Sequence, residues 1–452
     1  MARSTVREDV IADVADYTHA VIAYADETGH PVNVAANFRT DTERGVIVLD
    51  APQIPGSPGV GSEVNVIFSH IRPYPGVGYD QRRYVSVWGT VSAANGTLEV
   101  KPSRTHGWDE ERMSFFELCE RSVPSAHEYM RKLSAERGEE VKPTMSLGWL
   151  FFLATRVPFL TATFVPVFLG AVIARFHGHS AWWVMLLALL GASAIHLGLN
   201  VANDVSDATS GADEANVNPT MFSGGSRVIQ YGLVSLKAMK MTSLICYAIG
   251  IAIGIYLTVV AGPQLLWIGA AGLFLSFFYT APPFKLVHRG LGEICVALGF
   301  GPIMVLGTYY AVRGASAGDG GLSFEAFYAS LPVALLIMLV LYVNQIPDRP
   351  ADERAGKRTI VVRLPQRSIV TGYAVSVAAT YLLIAVGAVT GIMPIWTLLG
   401  LATIPLALQV YKGISSHYES PYELMGAMGK NIQLHLFTGL ALIVGYVVAI
   451  LV

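Results

Sequence analysis

Charge is what this chain has least of. Only 14% of its 452 residues are Asp, Glu, Lys or Arg, against about 25% in a soluble globular chain. The net charge of −2 gives no bulk electrostatic argument for nucleic-acid binding. Cysteine is nearly absent. Cys119, Cys246 and Cys295 lie far apart and no CxxC spacing occurs, so neither a disulfide framework nor a thiolate metal site is expected. Two of the three fall in apolar runs and read as packing residues. The first residues, MARSTVREDVIADVADY, are polar and of mixed charge, so no secretory signal peptide is expected there.

What is abundant is apolar, at 53% of the chain, and it is unevenly distributed. Residues 1–140 carry charges throughout and no long apolar run. Short alternating segments predict strands at 19–25, 31–38, 44–50, 63–71, 82–93 and 97–101, separated by Gly- and Pro-rich loops such as IPGSPGVG at 54–61. Amphipathic helices are predicted near 109–120 and 124–137. Strands at this spacing suggest a small barrel. Residues 141–147, around Pro143, read as a linker. From 148 to 452 nine runs are long enough to cross a bilayer as helices. They lie near 149–173, 181–202, 239–261, 264–281, 291–312, 327–346, 369–390, 393–411 and 432–451. The expected fold is therefore a soluble β-barrel followed by an all-α bundle of nine transmembrane helices.

Two acid clusters stand at the ends of apolar runs. In HLGLNVANDVSDATSGAD (196–213), His196, Asn200, Asp204 and Asp207 follow a 4, 4, 3 spacing that puts them on one helix face, with Asn203 beside them. In NQIPDRPADERAGKRT (344–359), Asp348 and Asp352 are four apart, and Pro347 and Pro350 predict a kinked or unwound helix end. Carboxylates at a membrane-helix end are costly unless they line an aqueous cavity or hold cations. Carboxylate and amide oxygens suit Mg²⁺, which also binds substrate phosphates.

The pair NDVSD (203–207) and DRPAD (348–352) resembles the two aspartate-rich motifs of the UbiA superfamily of membrane prenyltransferases. The resemblance covers roughly residues 148–452. Within that superfamily, GGSRVIQ (224–230), HRGLGEICVALGFGPIMVLGTYY (288–310) and GKRTIVVRL (356–364) are most similar to the 1,4-dihydroxy-2-naphthoate polyprenyltransferases of menaquinone synthesis. Pro347, Pro350 and YTAPPF (279–284) differ from the best-known members and leave the acceptor open. The resemblance implies Mg²⁺-dependent transfer of a polyprenyl group from its diphosphate to an aromatic acceptor. Asn203, Asp204, Asp207, Asp348 and Asp352 would hold the metal, with Asn200 adding an oxygen or a water, and Asp213 is a weaker candidate. Arg227, Lys285, Lys357 and Arg358 are candidate diphosphate contacts. Tyr279, Tyr309, Tyr310, Phe277 and Phe278 are candidate faces for an allylic cation. His196 would orient or deprotonate the acceptor. Other acceptors, another aromatic ring or a glycerol phosphate ether, and a membrane transporter are the alternatives.

Lys and Arg set the expected orientation. With the N-terminus inside, the inner loops hold thirteen (among them Arg227, Lys285, Arg349, Lys357 and Lys430) and the outer loops only Arg175 and Arg313. Both acid clusters then fall on the cytoplasmic side of a multi-pass cell-membrane protein. The N-terminal part, through AYADETGHPVNVAANFR, SHIRPYPGVG and RYVSVWGTV, resembles the pyridoxamine-phosphate-oxidase-like split β-barrels. That resemblance implies FMN or a related flavin, with haem, a deazaflavin or no ligand as alternatives. Ser69, His70, Arg72, Arg82 and Arg83 are the candidate phosphate contacts.

Overall fold

Alternation in the first 110 residues becomes one antiparallel sheet. The computed structural model describes residues 10–50, 58–74, 78–94 and 96–452. Part of the 54–61 loop and of SHIRPYPGVG (residues 54–57 and 75–77) lies outside the described residues. The chain forms two compact units, Met1–Glu128 and Tyr129–Val452.

In the first unit, α1 (Val10–Ala15) precedes β1 (Ala20–Ala25), β2 (Pro31–Ala36), β3 (Phe38–Asp41), β4 (Val46–Asp50), β5 (Glu63–Tyr74), β6 (Gly78–Ala94) and β7 (Thr97–Asp109). The seven strands are ordered β2-β1-β5-β6-β7-β4-β3. Register places Ile22 opposite Val66, and Val66 opposite Val87. These three, with Phe68, Leu49, Leu98 and Val100, are buried in one core that Val10 and Val14 of α1 cover. Both end strands, β2 and β3, contribute to that core through Ala36 and Phe38, yet no ladder joins them among the described residues. The result is a β half-barrel where a small split barrel is expected. The segment read as one strand over 31–38 also breaks at Asn37, so seven strands stand among the described residues where six are predicted. The two helices expected at 109–120 and 124–137 are one, α2 (Phe115–Arg137), which runs through Pro124. Proline removes only one backbone donor, and both flanks are good helix formers.

The second unit contains the apolar helices. They are α3 (Leu147–Thr155), α4 (Thr161–Phe176), α5 (Trp182–Ser210), the short α6 (Ala212–Ala215), α7 (Leu236–Ala261), α8 (Leu265–Phe278), α9 (Gly292–Leu298), α10 (Met304–Ala317), α11 (Phe324–Asn344), α12 (Arg349–Arg354), α13 (Ile360–Arg363), α14 (Gln366–Val389), α15 (Ile404–His417) and α16 (Pro421–Leu451). Eight spans among the described residues are long and apolar enough to cross a membrane; α9 and α10 form one of them through a π-turn at Gly299–Ile303. This is a multi-pass membrane protein. The expected fourth span, 264–281, is the shorter apolar helix α8, of 14 residues. The first expected span is also interrupted. Arg156 takes a left-handed conformation (φ 55°, ψ 47°) that ends α3, and a 3-10 turn at Val157–Leu160 leads into α4.

Helices in lipid associate through close packing and interhelical hydrogen bonds. Here the Gly170 backbone sits where a Cβ would run into the Val305 carbonyl. Tyr373 donates to Asn431 Oδ1 (3.1 Å), and Asn431 donates to the Leu339 carbonyl (2.8 Å), tying α14, α16 and α11. At the opposite end from the acid clusters, His177 lies 2.8 Å from the Tyr309 hydroxyl and 2.7 Å from Glu325.

Candidate active site

α5 is a single unbroken helix of 29 residues, in which Asp204 is buried against Arg156 apart from the other three residues of the 4, 4, 3 face, and Asn203 stands with them instead. It carries His196, Asn200, Asn203 and Asp207 to the wall of one pocket. The second cluster reaches the same pocket by a different route. α11 ends at Asn344, the chain turns through Pro347, and Asp348 stands at the N-terminus of α12 with Pro350 in its first turn. The break lets Asp348 and Asp352 face the pocket together with Lys357. The cavity encloses about 1080 Å³ of non-atom space, part of it open to solvent.

Two cations hold the carboxylates. Lys357 Nζ lies 3.1 Å from both oxygens of Asp207 and 3.5 Å from Asp352 Oδ1. Arg156 donates to Asp204, and that carboxylate also accepts from the Ser226 amide at 3.0 Å. Asp348 instead accepts from neutral donors, Asn216 Nδ2 at 2.9 Å and the Gly224 amide at 3.1 Å. The loop 216–226 therefore bridges both acid clusters. Gly224 and Gly225 both sit at φ +76° there.

Negative charge exceeds its compensation. Burial, then Asp207 and Asp204, push the Asp213 carboxyl up to about 8. Burial also raises Asp348 and Asp352, in spite of the opposing pull of Lys357. Burial alone would lower Lys357, but Asp207 and Asp352 outweigh it and hold the ammonium above its ordinary range. The carboxylate and carboxamide oxygens are the donor set of a hard cation, and unneutralised buried acids are what such a cation would relieve. The fit is one of chemistry. No three metal-binding side chains converge on a single point among the described residues, because Lys357 and Arg156 occupy carboxylate faces a metal would take.

The other expected residues divide. Tyr279 lines the pocket. His196 is buried, 2.9 Å from the Thr163 hydroxyl and edge-on to Phe300. Asn200 donates to the Thr155 carbonyl (3.1 Å) and Asn203 to Asp207 (3.0 Å). Arg227 is absent from the lining; its guanidinium donates to the Asp213 carbonyl and lies 5.9 Å from the Tyr231 ring. Lys285 and Arg358 are exposed and do not line the pocket, because Lys285 sits in a left-handed turn before the 3-10 segment 286–289. Tyr309 is at the far end beside His177, and Tyr310 donates to Gln264. Phe277 is half-exposed and packs with Phe278 outside the pocket. The pocket aromatics are Phe159, Phe222 and Phe300 instead. Arg156 and Asn216 were not anticipated. Arg156 is a lone cation in an apolar run, RVPFL, which is a sign available in the sequence; Asn216 carries none.

A second, apolar cavity of about 1450 Å³ runs between α5, α7, α8 and α10. It shares His196, Leu199, Tyr279, Val296 and Phe300 with the acidic pocket, so one wall serves both.

In the half-barrel the five candidate phosphate contacts do not form a basic cradle. Arg72 pairs with Asp80 (2.5 Å) and Arg82 with Glu110 (2.5 Å), both through two hydrogen bonds. Arg83 lies over the Tyr17 ring at 5.2 Å, and Ser69 and His70 are exposed on β5. Two of the three arginines are thus already neutralised by carboxylates that an anionic phosphate would have to displace.

A family model described as the UbiA prenyltransferase family matches residues 163–432. The 1,4-dihydroxy-2-naphthoate octaprenyltransferase of Bacillus subtilis (strain 168) is 25% identical over 320 residues, covering 71% of this chain and 99% of that protein. The enzyme of the same name from Mycobacterium tuberculosis is 30% identical over 252 residues, covering 54% of this chain and 78% of its own. The solved structure of a UbiA homolog from Archaeoglobus fulgidus bound to DMAPP and Mg²⁺ aligns with a TM-score of 0.45 at 16% identity, over 65% of this chain and 99% of that one.

Proposed function

Because the chain belongs to the UbiA prenyltransferase family, we propose that it transfers a polyprenyl group from polyprenyl diphosphate to 1,4-dihydroxy-2-naphthoate, in menaquinone biosynthesis. The observation that carries this reading is the shared wall between an acid-lined pocket and a long apolar groove. A polyprenyl diphosphate has the same two-part character: a charged head for the pocket and an apolar tail for the groove. The acceptor is supported by the names of the relatives at 25% and 30% identity.

The reaction breaks the allylic C1–O bond, and its electrons leave on the diphosphate. The ring carbon that bears the carboxylate attacks C1, and the carboxylate departs from that carbon as CO₂, its electrons restoring the aromatic ring. Asp204, Asp207, Asp348 and Asp352 would hold Mg²⁺, with Asn203 and Asn200 adjacent. When bound, the ion supplies neutralisation of the leaving diphosphate. Lys357 and Arg156, which line the pocket where Lys285 and Arg227 do not, would hold diphosphate oxygens. Tyr279 and Phe300 flank the junction of pocket and groove, where they would face the allylic carbon and keep water from it. His196, held by Thr163 through Nδ1, keeps Nε2 for the acceptor.

Membranes holding the chain, given Mg²⁺, a polyprenyl diphosphate and 1,4-dihydroxy-2-naphthoate, should yield the decarboxylated prenylated product by mass spectrometry. Diphosphate release without that product would move the assignment to another acceptor. No diphosphate chemistry with any acceptor would remove the reading. The excess of Lys and Arg in the loops on the acid-cluster side supports a cytoplasmic N-terminus. An N-terminal tag should then resist protease in intact cells with the outer face exposed, and its digestion there would overturn the orientation.

A further inference from the structure

Three carboxamides in the acidic pocket are spoken for: Asn200 by Thr155, Asn203 by Asp207 and Asn216 by Asp348. Two are not. Asn344 and Gln345 line the same pocket and are only 8% and 6% exposed. Asn344 Oδ1 and Gln345 Oε1 are both buried with no hydrogen-bond partner. A buried acceptor left unsatisfied is costly and calls for a donor. Two adjacent ones facing a single cavity call for a ligand that brings donors.

Position on α11 identifies that ligand. Its pocket-facing stripe runs Ile337, Val340, Leu341, then Asn344 and Gln345, then Asp348 beyond the helix end. It passes from apolar through neutral polar to acidic. Phe159 and Phe300 line the same cavity. A flat ring seated against Ile337 and Val340 puts its polar edge at the two carboxamides, beside the acids where the allylic carbon would lie. Diphosphate oxygens only accept hydrogen bonds, so they leave carboxamide oxygens unsatisfied; a phenolic hydroxyl donates.

We propose that Asn344 and Gln345 recognise the ring hydroxyl of the aromatic acceptor and set its specificity, an inference that rests on the prenyl-transfer reading above. A site built to bond a hydroxyl discriminates strongly against the analogue that lacks the donor. Methylating that hydroxyl, or removing the carboxamide, breaks the same bond from opposite sides.

The test compares the full chain in detergent with Asn344→Leu and Gln345→Met, which keep side-chain size. Thermal-shift binding of 1-naphthol and of 1-methoxynaphthalene is measured on each, beside acceptor and diphosphate kinetics. The wild-type chain should prefer the naphthol by about tenfold or more, and the variants should lose the preference. Acceptor KM should rise about tenfold in each variant, with diphosphate KM and Mg²⁺ dependence unchanged. Equal binding of the two ligands by the wild-type chain overturns the proposal without any variant. So does a preference that survives both substitutions, or an effect confined to Mg²⁺ dependence, which would make the carboxamides metal ligands. Should the wild-type chain show no diphosphate chemistry with any acceptor while the naphthol preference is still lost in the variants, the prenyl-transfer reading falls and hydroxyl recognition stands.

Discussion

Asp207→Asn should lower turnover by about 10³-fold at saturating Mg²⁺, with expression and membrane insertion unchanged. Asp207 is where the two clusters meet. It comes from α5, yet its nearest cation, Lys357, also reaches Asp352 of the second cluster. The substitution keeps size, removes the charge and leaves one oxygen to accept from Lys357 or Asn203 where the carboxylate offered two. Lys357 retains Asp352 as a partner, so the buried ammonium is not left alone, and the loss of activity would not be a loss of fold. Asp348→Asn is the matching change on the other side, where the carboxylate has only neutral donors in direct contact. Initial-rate assays across a Mg²⁺ titration, with a melting curve for each variant, check the pair. Near-wild-type turnover in both with Mg²⁺ in excess would remove the carboxylates from the chemistry.

How much of this was readable in advance depends on whether the signal was local. The acid face of α5 was legible because one helix carries it, and helical spacing alone decides which residues share a face. The second cluster was legible as a break, since proline at 347 and 350 removes backbone donors wherever it stands. The strands of the half-barrel followed from alternation, but the break at Asn37 did not: β2 and β3 are consecutive, yet one pairs with β1 and the other with β4, and alternation does not choose a strand's partner. The choice among cations also failed for a reason. Arg227 and Lys285 lie in short polar loops, as Lys357 does, and composition cannot separate a residue aimed inward from one aimed at solvent. Arg156 was missed because it was absorbed into an apolar span; the left-handed residue that breaks this span turns its guanidinium to Asp204. Tyr309 and Tyr310 failed by depth. They lie away from the acid clusters, Tyr309 against His177 and Tyr310 against Gln264.

The bridging loop leads to the second large effect. Gly224→Ala should cut kcat/KM by about 10²-fold through misplacement of groups that touch Asp348. At φ +76° the new Cβ would cost about 1–2 kcal/mol in backbone strain alone. It would also lie 2.7 Å from Asn216 Nδ2 and 2.9 Å from Pro219 Cβ. Asn216 is the side chain that bonds Asp348, and the Gly224 amide is its other donor. One methyl group therefore disturbs both contacts to a single carboxylate. Gly225→Ala meets the same strain, and its Cβ would lie 3.1 Å from Asp213 and 3.4 Å from Asp204, so it presses on the first cluster instead. Gly426, exposed in the first turns of α16 with open space around its Cβ position, is the control. Gly426→Ala should leave kinetics alone and raise stability by about 0.5–1 kcal/mol, the ordinary gain for alanine over glycine within a helix. Kinetics and melting curves on the three variants separate the cases. Should Gly224→Ala and Gly426→Ala behave alike, the loop does not position the acid clusters, and Asp348 takes its alignment from α12 alone.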